Sequence, residues 1–153
     1  MTTLDDVYWK FGMTSEAVQL FETELGNMLF LAGAVEAGLL EEIDTKRATD
    51  LLELVNRQTL GQLLKSLGRS SESLDSLEAV LNKALKERNR LTHSFYRQHN
   101  FRRNSEEGCA VMLSDLETIH ETILDAYKAV MLLSGVDLDS LQVSSLPTKH
   151  LPL

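Results

Sequence analysis

The strongest constraint on the fold is the spacing of apolar residues, which recur at alternating intervals of three and four along several segments. This spacing places them on one face of an α-helix, and no segment shows the alternation typical of a half-buried strand. The only two prolines lie within the last seven residues. The sequence therefore predicts an all-α protein, an antiparallel bundle of four main helices with one or two short ones. The clearest stripe comprises Leu74, Leu77, Leu81, Ala84, Leu91 and Phe95.

Capping residues predict the helix boundaries in the first half of the chain. A short helix over residues 2–12 is expected to end at Gly12, and the next helix to begin at Thr14 or Ser15. Residues 41–49 are polar and suggest a connection, after which a helical pattern continues to a C-cap at Gly68, with a break near residue 58. Small side chains late in the second helix indicate close packing within the chain, a frayed helix end or part of a dimer seam. They are Gly26, Gly33, Ala34, Ala37 and Gly38.

In the second half, a central helix is expected to run from about Ser73 towards His93 or beyond. Residues 99–103 are predicted to form a loop, and Asn104 or Ser105 to cap a long helix that stops near Gly135. Residues 1–135 then form one helical domain, and residues 136–153 form a tail. The predicted buried face of the last helix comprises Leu113, Leu116, Ile119, Ile123, Tyr127, Val130 and Leu133.

Positive charge is concentrated in one segment, residues 83–103, within a chain of net charge −8. This segment carries seven of the fifteen Lys and Arg residues and a single acid, Glu87. Such asymmetry indicates an anionic partner at one place on an otherwise acidic surface. Aromatic residues within the segment either stack on unpaired bases or anchor the chain to the core, the second role being favoured for Phe95. The others are Tyr96 and Phe101.

Several classes of protein are disfavoured by the composition. The single Cys109 excludes an intramolecular disulfide and fits a reducing compartment, so we expect a cytoplasmic protein. The N-terminus does not resemble a signal peptide, and the most apolar run, residues 28–35, is too short to span a bilayer. The sequence contains no glycine-rich phosphate loop. His120 is expected at the edge of the core. With no spacing typical of metal ligands, we expect no metal and no cofactor.

Arg88 occupies a position in the central stripe where the pattern calls for an apolar side chain. Because a guanidinium stays charged, it must be paired there or face a wet cleft. A purely structural role would pair it with a carboxylate on a facing helix, such as Glu24 or Glu117. His93 lies five residues on, about 140° round the helix, so the two converge only at a cleft or where the helix end loosens. Asn89 and His93 share a ridge.

The segment RNRLTH, residues 88–93, resembles the motif of the HEPN superfamily (higher eukaryotes and prokaryotes nucleotide-binding). In these small all-helical domains an Arg, often followed by Asn, precedes a His by four to six residues. Members are often homodimers, in which Arg and His of both subunits line a cleft at the interface. Two-gene toxins of the family with a nucleotidyltransferase antitoxin usually carry Tyr two residues after the His. This chain has Phe95 there, followed by Tyr96.

The resemblance implies an endoribonuclease that needs no metal, from a toxin–antitoxin or phage-defence system, with an antitoxin or another protein as a partner. Arg88, Asn89 and His93 would be its catalytic residues. The surrounding basic and aromatic side chains would hold RNA or a nucleotide; these are Lys86, Arg90, Tyr96, Arg97, Arg102 and Arg103. Two other functions stay open. One is a HEPN-like module that binds RNA without cutting it, and the other is a helical adaptor whose basic patch meets an acidic protein.

Overall fold

The computed structural model describes residues 1–39, 44–56 and 75–141, and these residues are almost entirely helical. No strand occurs within these ranges, which confirms the predicted all-α fold. Five α-helices and two short 3₁₀ helices make up the described chain. They are α1 (Leu4–Glu36), α2 (Thr45–Asn56), α3 (Asp75–His93), α4 (Phe95–His99), a 3₁₀ helix (Asn100–Asn104), α5 (Glu106–Leu133) and a second 3₁₀ turn (Leu138–Ser140).

The bundle is built on α1 and α5, which share the most extensive contact. The two helices run in the same direction, since Tyr8 meets Arg103, just before α5, while Thr14, further along α1, meets His120. Helix α3 runs antiparallel to α1, since Phe11 packs on Phe95 while Glu22, further along α1, meets Arg88. The stripe predicted for α3 is buried at Leu81, Ala84 and Leu91 and half-buried at Leu77, with the buried Phe95 contributing from α4. The largest fully buried side chains of the core are Phe21, Leu25, Phe95, Met112, Leu116, Ile119 and Ile123.

Helix α1 is one continuous helix, and the two helices predicted for residues 2–36 are wrong. Gly12 lies inside the helix, and Thr14 is buried there instead of capping a new helix. The hydroxyl of Thr14 donates to the carbonyl oxygen of Lys10, 2.8 Å away, which satisfies it within the helix. The N-cap is Thr3, which forms a capping box with Asp6.

The small residues late in α1 allow close packing against α2 within the chain. A Cβ atom at Gly33 would lie 3.1 Å from Leu51, and one at Gly26 would lie 3.6 Å from Val55. These contacts run in opposite order along the two helices, so α2 is antiparallel to α1. The structure thus favours close packing within the chain as the role of Gly26 and Gly33.

The loop predicted at residues 99–103 is also wrong, because this segment is helical. His99 ends α4 and is buried against Phe95, with ring centroids 4.5 Å apart. Asn100 has a positive φ of 44°, which Asn tolerates better than most residues, and there the chain turns into the 3₁₀ helix. This helix passes so close to α5 that only glycine fits at position 108, facing the carbonyl of Arg102.

Helix α5 begins and ends as the sequence predicts. Ser105 is its N-cap and accepts a hydrogen bond from the amide of Gly108, 3.0 Å away. Gly135, with φ of +88°, follows its C-cap Ser134. Most of the predicted apolar face is buried or half-buried, but Leu133 in the last turn is 47% exposed.

Some expectations fall outside the described residues: the break near residue 58, the C-cap at Gly68, the first residues of the central helix before Asp75, and most of the tail. In the ranges that the structure describes, no helix combines the length and apolar character required to cross a membrane.

Candidate functional site

Arg88 is held at the wall between α1 and α3, where three-quarters of its side chain is covered. Its Nε donates to Oε1 of Glu22 at 2.7 Å, and its Nη1 donates to Oδ1 of Asn89 at 3.0 Å. Arg88 therefore has the carboxylate partner that its position on the stripe requires, but this partner is Glu22 instead of Glu24 or Glu117. The two hydrogen bonds use two of the five N–H groups of the guanidinium, so the side chain retains further donors.

Beside this ion pair, residues of α1 and α3 line a cavity of about 370 Å³ that is open to solvent. Arg88 and Thr92 line it from α3, one turn apart, and Gln19 and Glu22 line it from α1. The remaining lining is mainly apolar and is contributed by Phe11, Ser15, Val18 and Leu91. The cavity thus combines an apolar wall with a charged and hydrogen-bonding rim, which is the usual composition of a small-molecule site.

His93 is the last residue of α3 and is exposed, as is Asn89 one turn before it. A separation of five residues directs His93 about 140° away from Arg88 round the helix. His93 does not line the cavity beside Arg88. One chain alone therefore does not bring the side chains of Arg88 and His93 to one point. Asn89 lies between the two, bonded to Arg88 and on the same ridge as His93.

Arg90 points to the opposite side of α3, towards α5, and is engaged in a fixed polar network. Its guanidinium donates two hydrogen bonds of 2.7 Å to the two carboxylate oxygens of Asp115 and a third, of 2.8 Å, to Glu87. The hydrogen bonds that Arg90 donates to Asp115 raise the pKa of Arg90 well above its usual range. Burial lowers this pKa, and the hydrogen bond to Glu87 raises it further. The same bidentate contact lowers the pKa of Asp115.

His99 completes this network from a buried position. Arg102 donates from Nη1 to Nδ1 of His99 at 2.9 Å, and Nε2 of His99 lies 2.7 Å from Oδ2 of Asp115. Because a guanidinium can only donate, Nδ1 must accept, which assigns the proton of the neutral imidazole to Nε2. We define Arg90, His99, Arg102 and Asp115 as the polar network. It fastens the 3₁₀ helix to α3 and α5.

The other basic residues of the segment are exposed. Lys86 and Arg97 lie on the surface, and Arg103 donates from Nη2 to the hydroxyl of Tyr8 at 2.9 Å. Tyr96 is 38% exposed, and its ring packs on Phe11 with centroids 5.1 Å apart. Burial raises the pKa of Tyr96, with a smaller contribution from Tyr8, so its phenol stays neutral.

No family model matches the chain, and neither a curated protein nor a solved structure matches it. The HEPN resemblance therefore stays a hypothesis carried by the motif and its position on α3. Among the described residues, no group of His, Cys, Asp or Glu side chains could hold a metal ion.

The sequence analysis missed four residues that shape this region: Tyr8, Phe11, Glu22 and Asp115. Tyr8, Phe11 and Glu22 lie on α1, more than sixty residues before the motif, so no local pattern connects them with it. Asp115 offered a weak signal, since it is an acid adjacent to the predicted apolar face of α5. Its pairing with Arg90 depends on the turn formed by α4 and the 3₁₀ helix, which was expected to be a loop.

Cys109 is buried, and its thiol lies 3.7 Å from the carbonyl oxygen of Arg103. The expectation for His120 is met. His120 is half-buried at the edge of the core, with Nδ1 3.4 Å from the hydroxyl of Thr14. Burial lowers the pKa of His120, and the positive charge of Lys10 lowers it further.

Proposed function

We propose that this protein is a metal-independent endoribonuclease of the HEPN type that acts as a homodimer. The observation that carries the proposal is the position of the RNRLTH segment in the last turns of α3. Arg88 borders a cavity there, and His93 is accessible at the helix end. The exposed Arg97 and Arg103 follow within ten residues and would attract a polyanion despite the net charge of −8.

The residues of the motif suit cleavage by the neighbouring 2′-hydroxyl. His93 would accept the proton of this hydroxyl as it attacks the phosphorus, because imidazole exchanges protons near neutral pH. The bond from phosphorus to the 5′-oxygen would break, and this oxygen would take up the proton from His93, which leaves a 2′,3′-cyclic phosphate and a 5′-hydroxyl. Arg88 would donate hydrogen bonds to the phosphate oxygens as negative charge builds up on them. Asn89, bonded to Arg88 and one turn before His93, would orient these two side chains. The reaction then needs no metal ion.

The directions of the two side chains support the proposal of a homodimer. Arg88 and His93 leave α3 on different sides, so Arg88 of one subunit would act with His93 of the other across a two-fold axis. A toxin or phage-defence setting, with an antitoxin as a protein partner, extends the same proposal and rests on the family resemblance alone.

Cleavage of a mixed RNA pool in EDTA tests this function. We expect His93→Ala to lose about 10²–10⁴-fold in cleavage rate while RNA binding survives, because general acid–base catalysis contributes that much. His120→Ala is the matched control, since this half-buried histidine lies on α5 and should leave the cleavage rate unchanged. DNA should bind without being cut, because it lacks the 2′-hydroxyl. Cleavage that requires a divalent ion, or an equally active His93→Ala variant, would reject the mechanism.

The ion pair between Arg88 and Glu22 favours a second candidate, an RNA-binding module without catalysis. Glu22 occupies Nε of Arg88 and would compete with a phosphate for it. Binding that weakens steeply with salt, without any product of cleavage, would select this function.

An adaptor function is supported by a different surface, the outer face of α1. Apolar side chains recur along this face with helical spacing and are 36–68% exposed, which is typical of a surface that binds another protein. A complex with another protein that forms equally well without RNA would favour the adaptor function. The residues are Trp9, Met13, Leu20, Leu31 and Val35.

A further inference from the structure

We propose that the cavity between α1 and α3 binds one nucleobase of the RNA and selects guanine. Gln19 and Glu22, two residues that the catalytic motif does not include, would read the base. The inference deepens the proposed function, on which it rests for the identity of the ligand as RNA. It is carried by the juxtaposition of a carboxylate, an amide and an apolar wall beside Arg88.

The first argument is the arrangement of hydrogen-bonding groups on α1. Gln19 and Glu22 are three residues apart, so their side chains lie next to each other on one ridge of the helix. Both line the cavity. The ridge therefore presents an amide, which has donors and an acceptor, next to a carboxylate, which only accepts.

The pairing edges of the four bases differ in how well they fit this ridge. Guanine presents two adjacent N–H donors, N1–H and the N2 amino group, followed by the acceptor O6. The carboxylate of Glu22 can accept from both donors, as carboxylates do in other bidentate contacts, and the amide of Gln19 can donate to O6. Adenine and cytosine offer one donor group beside a ring acceptor that would face the carboxylate. Uracil places its single N–H donor between two acceptors.

The second argument is the apolar wall of the cavity. Val18 and Leu91 are buried. The half-buried ring of Phe11 packs on the rings of Phe95 and Tyr96, with centroids 5.8 Å and 5.1 Å away. A planar base can pack against such a wall, since unpaired bases in RNA are bound by stacking and by contacts to their pairing edges. The volume of about 370 Å³ falls within the usual range for ligand pockets.

The third argument is that one nucleotide would satisfy both members of the ion pair. Glu22 and Arg88 are each more than a quarter exposed, so their mutual attraction is weak and can be exchanged for ligand contacts. The N–H donors of guanine would take the place of Arg88 as hydrogen-bond donors to Glu22. The phosphate would take the place of Glu22 as the acceptor for Arg88. A phosphate alone would bind only half of the site and would meet the negative charge of Glu22.

Binding of nucleoside monophosphates, followed by NMR chemical shifts of the backbone amides, tests the inference. GMP should perturb residues of α1 and α3 around the cavity and bind at least about tenfold more tightly than AMP, CMP or UMP. Inorganic phosphate serves as the probe for Arg88 alone and should bind more weakly than GMP.

Glu22→Gln should abolish the preference for GMP, because the amide nitrogen would face a guanine donor. Glu16→Gln is the matched control and should keep the preference, because Glu16 is exposed on the same helix and does not line the cavity. If Glu22→Gln lowers stability, Gln19→Glu provides an independent test. It removes the donor to O6 at an exposed position and should also abolish the preference.

Equal affinity for the four nucleotides, shifts located elsewhere, or a GMP preference that survives Glu22→Gln and Gln19→Glu would overturn the inference. Its failure is distinguishable from failure of the proposed function, because monophosphates contain no linkage to cut. A protein that cleaves RNA without base preference would keep the ribonuclease function and lose only the guanine site.

Discussion

At the scale of single residues, Gly108 has the strictest structural requirement among the described glycines. A Cβ atom there would overlap the carbonyl of Arg102, which belongs to the backbone and cannot swing aside. We expect Gly108→Ala to lower the free energy of unfolding by about 1–3 kcal/mol, as overpacking does. Chemical denaturation measures this change.

Gly12→Ala is the matched control for this substitution. Gly12 lies within α1, and a Cβ atom there would meet nothing within 4 Å. Alanine should raise the free energy of unfolding by roughly 0.5–1 kcal/mol, because it loses less conformational freedom in a helix than glycine does. Equal effects of the two substitutions would contradict the close approach of the 3₁₀ helix to α5.

Asp115 makes stability depend on pH. Its pKa is lowered in the folded state, chiefly by the bond from Arg90 and secondarily by His99. The stabilisation is therefore present above the unfolded value, about 3.9, and is lost as the pH falls through the folded pKa. We expect Asp115→Asn to lower stability at pH 7 by roughly 1–3 kcal/mol and to flatten the fall in melting temperature below pH 4.

The exposed Asp125 on the same helix provides the control for this experiment. Asp125→Asn should keep the acid-dependent fall in melting temperature of the unaltered protein. An Asp115→Asn variant with the same pH profile as the unaltered protein would show that the contacts of the polar network contribute nothing to acid sensitivity.

Residue-level patterns predicted that Arg88 needs a partner but not which one. Glu22 and Glu24 both lie on α1, and they point about 200° apart round the helix. Which of them meets Arg88 depends on how α1 is rotated against α3, and this is set by the buried face that includes Val18, Phe21 and Leu25. Packing over long sequence separations therefore decided a contact that local periodicity left open.

At the scale of helices, long apolar stripes were predicted well and interruptions were predicted poorly. The C-terminal limit of α3 and both ends of α5 agree with the sequence. At α5 the apolar stripe and the capping signals at Ser105 and Gly135 coincide. Gly12 and Thr14 were taken as a break in α1, although a glycine costs only about 1 kcal/mol within a helix. Burial of Val7 and Phe21 on either side offsets that cost. The turn at residues 99–103 was missed because its order comes from the polar network.

The N-cap of α5 allows a test at this scale. The Ser105 hydroxyl accepts from the amide of Gly108 at 3.0 Å, so Ser105→Ala should lower the free energy of unfolding by about 1 kcal/mol. Ser105→Asp retains an acceptor and should largely restore it. Ser114→Ala, at an exposed position inside α5, should be neutral or slightly stabilising in the same denaturation experiment. A similar loss at both serines would indicate that the cap is unimportant.

At the scale of the whole molecule, the fold separates two surfaces that the linear sequence places together. Residues 83–103 form one basic run, yet Arg88 is paired with Glu22, and Arg90 is paired with Glu87 and Asp115. The exposed cations of the run include Lys86, Arg97, Arg102 and Arg103. Composition identified the segment, and only the contacts show which of its charges are already neutralised. The surface that remains available for a polyanion is therefore smaller than the sequence alone suggests.

The last prediction concerns the proposed homodimer, in which Arg88 of one subunit acts with His93 of the other. Light scattering should give a mass of about twice the 17.2 kDa of the chain. Arg88→Ala and His93→Ala should each, alone, lose all but a small fraction of the rate of RNA cleavage. When the two variants are mixed and allowed to exchange subunits, half of the dimers contain one subunit of each variant. Each of these dimers has one intact site, in which Arg88 comes from the His93→Ala subunit and His93 comes from the Arg88→Ala subunit. Cleavage should then return to about a quarter of the original rate. Mixing either variant with itself is the control. If Arg88 and His93 act within one chain, no mixed dimer contains an intact pair. A dimer whose mixture stays inactive after confirmed subunit exchange would therefore reject the shared site, and a monomer that cleaves RNA would reject the dimer as well.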